Sequence, residues 1–182
     1  MSLQKKYPHE IEHILAKYPP DHQHAAVMPL LHLAQRETGF ISRDVINEVA
    51  GITGLSTTQV ASVISFYTLF HDAPGGKVRI QVCTDVACDL RGAKEYLRDI
   101  CQALNLKPGE TSADGMIEIE EVKCLAACDH APMFQSQIGD KLEYHEDQTP
   151  EKTLDWIKSM AASLTTTREG DNHERVYSTA SS

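Results

Sequence analysis

Four cysteines constrain this chain more than any other feature: Cys83 and Cys88 form a C-x4-C pair, and Cys124 and Cys128 form a C-x3-C pair, with 35 residues between the pairs. The layout can gather four thiolates around two irons, one pair to each iron, and so points to iron–sulfur electron transfer. Soft thiolates suit iron, and loop backbone N–H groups freed from helix or sheet can point at sulfur and offset its negative charge. Such a site carries one electron at a time. Spacing alone leaves two other outcomes open, a tetrahedral zinc site and a pair of disulfides.

The chain has 182 residues, enough for one sizeable domain or two small ones, and its 41% hydrophobic and 24% charged residues are those of a globular protein. A net charge of −9 argues against broad nucleic-acid binding, which needs a positive surface to replace phosphate counterions. The opening MSLQKKYPHEIEH lacks an apolar core, and no run of about 18 apolar residues occurs, so neither a signal peptide nor a membrane span is expected. A cytoplasmic address follows as the expectation. Reducing conditions there make spaced cysteines metal ligands or redox groups rather than disulfides. The fifth cysteine, Cys101, lies on the apolar side of a predicted helix and reads as a small buried hydrophobe outside the site.

Helical periodicity dominates the first seventy residues. Ile11 to Leu15, Val27 to Leu33 and Asp44 to Val49 repeat apolar positions at helical spacing, the last after a Ser42 cap. Ser56 to Phe70 reads as one helix capped by Ser56, with Val60, Val63, Ile64, Tyr67 and Phe70 in one stripe. Residues 1–73 are therefore expected to form a helical bundle. At His71 to Gly76 turn formers break the pattern and the period becomes 2. Val78, Ile80 and Val82 alternate with Lys77, Arg79 and Gln81 as in a half-buried strand that runs into Cys83. A helix is expected over Gly92 to Leu104, a strand at Ile117 to Val122 after an Asp114-Gly115 turn, and a hairpin of Phe134–Ile138 and Lys141–Tyr144. Proline at the first position opens a last helix at Pro150. Residues 76–163 thus form a sheet with helices packed on it, an α+β or α/β arrangement, and residues 165–182 are expected to be a disordered polar tail.

At the cysteines the chain resembles a known family, the thioredoxin-like 2Fe-2S ferredoxins that serve as the E chain of bacterial respiratory complex I, NADH-quinone oxidoreductase. The matching stretches are VCTDVAC at 82–88, ETSADGMIEIEEVKCLAACDHAP at 110–132, LHLAQRETGFI at 31–41 and VASVISFYTLF at 60–70. The resemblance implies an N-terminal helical bundle followed by a thioredoxin-like domain, with one 2Fe-2S cluster held by Cys83, Cys88, Cys124 and Cys128. It also implies a partner, the flavin-bearing subunit that oxidises NADH, together with further peripheral-arm subunits of a membrane-associated complex. FMN and NADH are then expected on the partner, in keeping with the lack of a G-x-G-x-x-G fingerprint here. Two departures stand out: the family's C-L-G-[AS]-C has Ala126 in place of its glycine, and Asp129-His130 precedes Ala131-Pro132. If position 126 needs positive φ, alanine costs about 1 kcal/mol.

His9, Glu10 and His13 satisfy H-E-x-x-H, a zinc hydrolase pattern, but without an evident third ligand they read as a solvated helix face. His22 and His24 read as a polar turn. Three function classes remain: a redox subunit of complex I, the same module in a NAD-linked hydrogenase or formate dehydrogenase, and a zinc-stapled interaction module without redox chemistry.

Overall fold

The computed structural model describes residues 2–139 and 141–166. The tail expected to be disordered lies, from residue 167, outside the described residues.

The N-terminal part is helical, as the periodicity predicts: α1 (Leu3–Lys6), α2 (Pro8–Leu15), a 3-10 stretch (Pro20–Ala26), α3 (Val27–Thr38), α4 (Arg43–Thr53) and α5 (Thr57–Phe66). Local chemistry sets the ends. Ser42 accepts from the Val45 N–H at the start of α4, and Ser56 and Gln59 form a reciprocal capping box at the start of α5. Gly39 and Gly54 close α3 and α4 at φ of 78° and 72°, where a side chain would be strained. Leu30, Leu31, Val49 and Val60 interlock as the fully buried centre of this core.

One boundary differs from the sequence reading. The expected helix to Phe70 stops at Phe66, and Tyr67 is extended at φ −97° and ψ 107°. The Phe70 N–H bonds to the Tyr67 carbonyl in a turn, which buries Phe70 against the His32 ring. Tyr67, expected in the buried stripe, is instead 43% exposed, and its neighbour Phe66 is 76% exposed. A turn made of apolar residues carries no periodicity break, so the pattern could not reveal it.

After the turn at residues 71–76 come β1 (Val78–Cys83), α6 (Val86–Asp89), α7 (Ala93–Leu104), β2 (Glu110–Thr111), β3 (Ile117–Val122), β4 (Phe134–Ile138), β5 (Lys141–His145) and α8 (Pro150–Thr166). The strands form one sheet in the order β2-β3-β1-β4-β5. Bonds from the Val78 N–H to the Met116 carbonyl and from the Thr84 N–H to the Val122 carbonyl advance in the same sense, so β1 and β3 are parallel. The parallel pair is joined through α7, as parallel strands require a crossover. Cys83 faces Met133 while Gln81 faces Gln135, which makes β4 antiparallel to β1.

β1 corrects the second expectation. Alternation predicted one wet face, yet all six residues are buried. Arg79 pairs with Glu118 at 3.2 Å and meets the His71 Nδ1 at 2.7 Å, while Gln81 donates to Glu120 at 2.8 Å and accepts from Gln135 at 2.7 Å. Buried polar groups persist only when paired, and these are.

The short α6 and β2 were not anticipated. Cα proximity divides the chain into two compact units, residues 1–80 with 110–118 and 136–143, and residues 81–109 with 119–135 and 144 onward. Among the described residues no single helix is long and apolar enough to cross a membrane.

Candidate cluster site

Each of the four cysteines sits where an element ends or a loop turns. Cys83 is the last residue of β1 and Cys88 lies in α6, both 1% exposed. Asp85 starts α6 by accepting from the Val86 N–H at 3.0 Å, and this turns Cys88 inward. Cys124 follows β3 in an exposed loop, and half-buried Cys128 opens a 3-10 turn that ends at His130.

The structure sets the four in one neighbourhood, with Cys124 beside Cys128 and the Cys83 and Cys128 sulfurs near Cys88. Cys124 Sγ and Cys128 Sγ are 3.9 Å apart. Two thiolates on one tetrahedral metal, with bonds of about 2.3 Å, sit roughly 3.8 Å apart, so the second pair already has the separation that a shared ion requires. The Cys88 thiol is pushed up to about 12, first by burial and then by the Cys83 and Cys128 sulfurs beside it. Cys128 is raised too, chiefly by its hydrogen bond with Cys124. These mutual influences place the C-x4-C and C-x3-C pairs in one neighbourhood. Metal binding must therefore displace protons from Cys88 and Cys128, whose raised pKa favours the thiol.

The surroundings shield the sulfurs and offset their charge. Among the described residues no three cysteine, histidine or carboxylate side chains converge on one point. Ala93, Ala127, Ala131 and Met133 pack around Cys83 and Cys88 and keep water off them. The Ala126 N–H donates to Cys124 Sγ at 3.4 Å, the kind of bond that offsets thiolate charge. Ala126 adopts a φ of 63°, so the missing family glycine does stand at a left-handed position.

Several neighbours escaped the sequence reading. Arg91 Nε donates to the Ala131 carbonyl at 2.9 Å and ties the two cysteine loops together, and Thr84 Oγ1 donates to Glu121 at 2.6 Å. Residues about 40 positions apart leave no spacing signal. The Ala131-Pro132 bond is cis. His130 is exposed; its Nδ1 lies 3.0 Å from Asp147, and that bond, helped by the charges of Glu146 and Asp129, raises its pKa. Cys101 is buried on α7. His9 and His13 lie exposed on α2.

A family profile described as thioredoxin-like 2Fe-2S ferredoxin matches residues 11–161. The chain belongs to this family. Among its relatives is NADH-quinone oxidoreductase subunit 2 of Thermus thermophilus, 40% identical over 69% of this chain and 69% of that protein. The E-type subunit of NADH-quinone oxidoreductase from Rickettsia bellii is 39% identical over 83% of this chain and 89% of that protein. The mitochondrial NADH dehydrogenase flavoprotein 2 of Dictyostelium discoideum is 38% identical, covering 83% and 60%. A crystal structure of NAD+-reducing NiFe-hydrogenase in the air-oxidized state shares the fold at a TM-score of 0.63 with 20% identity; the match covers 76% of this chain and only 23% of that one. As a thioredoxin-like 2Fe-2S ferredoxin, the chain has an iron–sulfur cluster as its expected cofactor, and its helices plus five-stranded sheet accord with the architecture that the resemblance implied.

Proposed function

We propose that this ferredoxin is the 2Fe-2S electron-transfer subunit of an NADH-quinone oxidoreductase, with Cys83 and Cys88 holding one iron and Cys124 and Cys128 the other. The observation that carries the reading is the proximity of the cysteines, Cys88 beside Cys83 and Cys128 and the second pair at 3.9 Å, in a chain about 40% identical to E-type subunits. When bound, the cluster accepts and returns one electron. The chain's own residues hold and insulate it. The alanines and Met133 exclude water on the Cys83–Cys88 side, the Ala126 N–H offsets charge at Cys124, and the exposed Cys124 loop is the edge through which a partner has access.

In this reading the partner is the flavin-bearing subunit that oxidises NADH, and FMN and NADH bind there. Residues 1–73 serve docking, residues 76–163 carry the cluster, and the assembly sits at the peripheral, cytoplasmic side of a membrane complex. A NAD-linked hydrogenase is the second reading, favoured by the shared fold with the hydrogenase chain. One experiment separates them. Affinity purification of the tagged full chain from its own cells, followed by identification of bound subunits, is expected to recover a flavoprotein with quinone-reductase subunits. NADH should then reduce the cluster in the assembly but not in the isolated chain. Recovery of hydrogenase subunits would transfer the chain to the second reading, and direct reduction of the isolated chain by NADH would contradict both.

A further inference from the structure

Residues 49–70 form a run of 22 without a single Asp, Glu, Lys, Arg or His, although a quarter of the whole chain is charged. This run includes α5, whose inner side is core: Val60 is 0% and Ile64 6% exposed. Its outer side carries Thr58, Ala61, Ser62, Ser65 and Phe66, all exposed. A solvated helix face normally carries charge, whereas the buried centre of a protein interface is depleted of charge and enriched in aromatics.

Two of the three hydroxyls on this face do not call for water. Ser62 Oγ donates to the Thr58 carbonyl at 2.8 Å and Ser65 Oγ to the Ser62 carbonyl at 3.1 Å, while Gln59 is held in the capping box with Ser56. With the Ser62 and Ser65 hydroxyls turned onto their own backbone, covering the face strands neither of these donors, which lowers the usual penalty of burying polar surface. At its end Phe66 and Tyr67 meet edge to face with ring centroids 5.1 Å apart. Such a pair is an apt interface anchor.

Charge and area narrow the occupant. A helix that lies on a membrane needs Lys and Arg along its polar face, and residues 49–70 have none, in a chain of net charge −9. A strip one helix wide and about 15 Å long offers on the order of 400 Å², so two copies joined here would bury roughly 800 Å², short of the ~1,200 Å² of a stable pair. A matching neutral surface on a larger partner, which gains the rest of its area elsewhere, fits both limits.

We propose that the outer face of α5, ending at Phe66 and Tyr67, is a docking surface for an uncharged patch of the flavin-bearing subunit. This rests on the function proposed above. Co-expression of that subunit with full-length Ala61→Arg or Ser65→Glu, both changes at exposed positions, tests it. Each variant is expected to weaken binding at least tenfold despite their opposite charges, with cluster content unchanged and an Asn47→Arg control on α4 binding normally. Undiminished binding by either variant would overturn the docking face while leaving the redox reading intact. A wild-type chain that lacks the cluster fails that reading instead. If the wild type self-associates in ultracentrifugation or binds phosphatidylcholine–phosphatidylglycerol vesicles, and the variants lose this, the occupant is a second copy or a membrane and the proposal falls.

Discussion

Ala126 shows how a single residue records a tolerated cost. At φ 63° a Cβ crowds the following carbonyl, which disfavours L-residues by about 1–2 kcal/mol, and glycine would relieve it while adding freedom to the unfolded chain. Ala126→Gly is therefore expected to stabilise the protein by roughly 0.5–1 kcal/mol, visible as a higher urea midpoint at unchanged m. A lower midpoint would mean that the alanine methyl has packing value. Cys101 behaves oppositely. Cys101 is 6% exposed on the inner side of α7, so Cys101→Ser should leave the cluster in place and cost about 1–3 kcal/mol for a hydroxyl in a buried site. Both positions could be singled out from sequence: Ala126 because the family's glycine pattern is broken there, Cys101 because its helical register is apolar. Arg91 could not be, since its bond to the Ala131 carbonyl spans 40 residues.

At the scale of elements, legibility followed the presence of local signals. Ser42 and Ser56 announce α4 and α5 because a cap is a short-range bond that sequence spacing encodes. Ser56→Ala is expected to cost about 1 kcal/mol of unfolding free energy, with the Gln59 backbone N–H left without its acceptor. β1 was read with the right span and the wrong surroundings. Period 2 encodes alternation of side chains but not what covers the polar side, and Arg79 is buried because Glu118 and His71 meet it. Removing one partner leaves an uncompensated charge, so Glu118→Ala should cost roughly 3–5 kcal/mol in chemical denaturation, more than a surface pair would. A loss under 1 kcal/mol would show that water reaches Arg79. Gly75 and Gly76 add to this constraint, since a Cβ on either would run into Glu118.

For the molecule as a whole, long-range polar ties decide how acid acts on it. Glu48 of α4 accepts from the Leu3 and Gln4 N–H groups and the Ser2 hydroxyl, more than 40 residues away. Burial raises its pKa, but these hydrogen bonds outweigh burial and the net shift is downward. A carboxylate depressed in the folded state contributes stability above its unfolded pKa and loses it as pH falls through the folded value. Acidification below the ordinary carboxylate range is thus expected to release α1, seen as faster amide exchange at Leu3 and Gln4, and Glu48→Gln should show that exchange already at neutral pH. Equal exchange in the variant and the parent would refute the tie. The same long-range character explains the limits of sequence reading at this scale. Four cysteines mark the chemistry, while the convergence of their loops depends on strand pairing and on Arg91, which no spacing specifies.

The central claim is that two cysteine pairs hold one di-iron cluster that takes a single electron. Anaerobic purification of the full chain, iron and acid-labile sulfide assay, and low-temperature EPR after reduction test it together. The expected result is two irons and two sulfides per chain with a rhombic spin-half signal, absent in Cys83→Ala and Cys128→Ala. A colourless protein that contains zinc and no labile sulfide, or a signal that survives both substitutions, would contradict it.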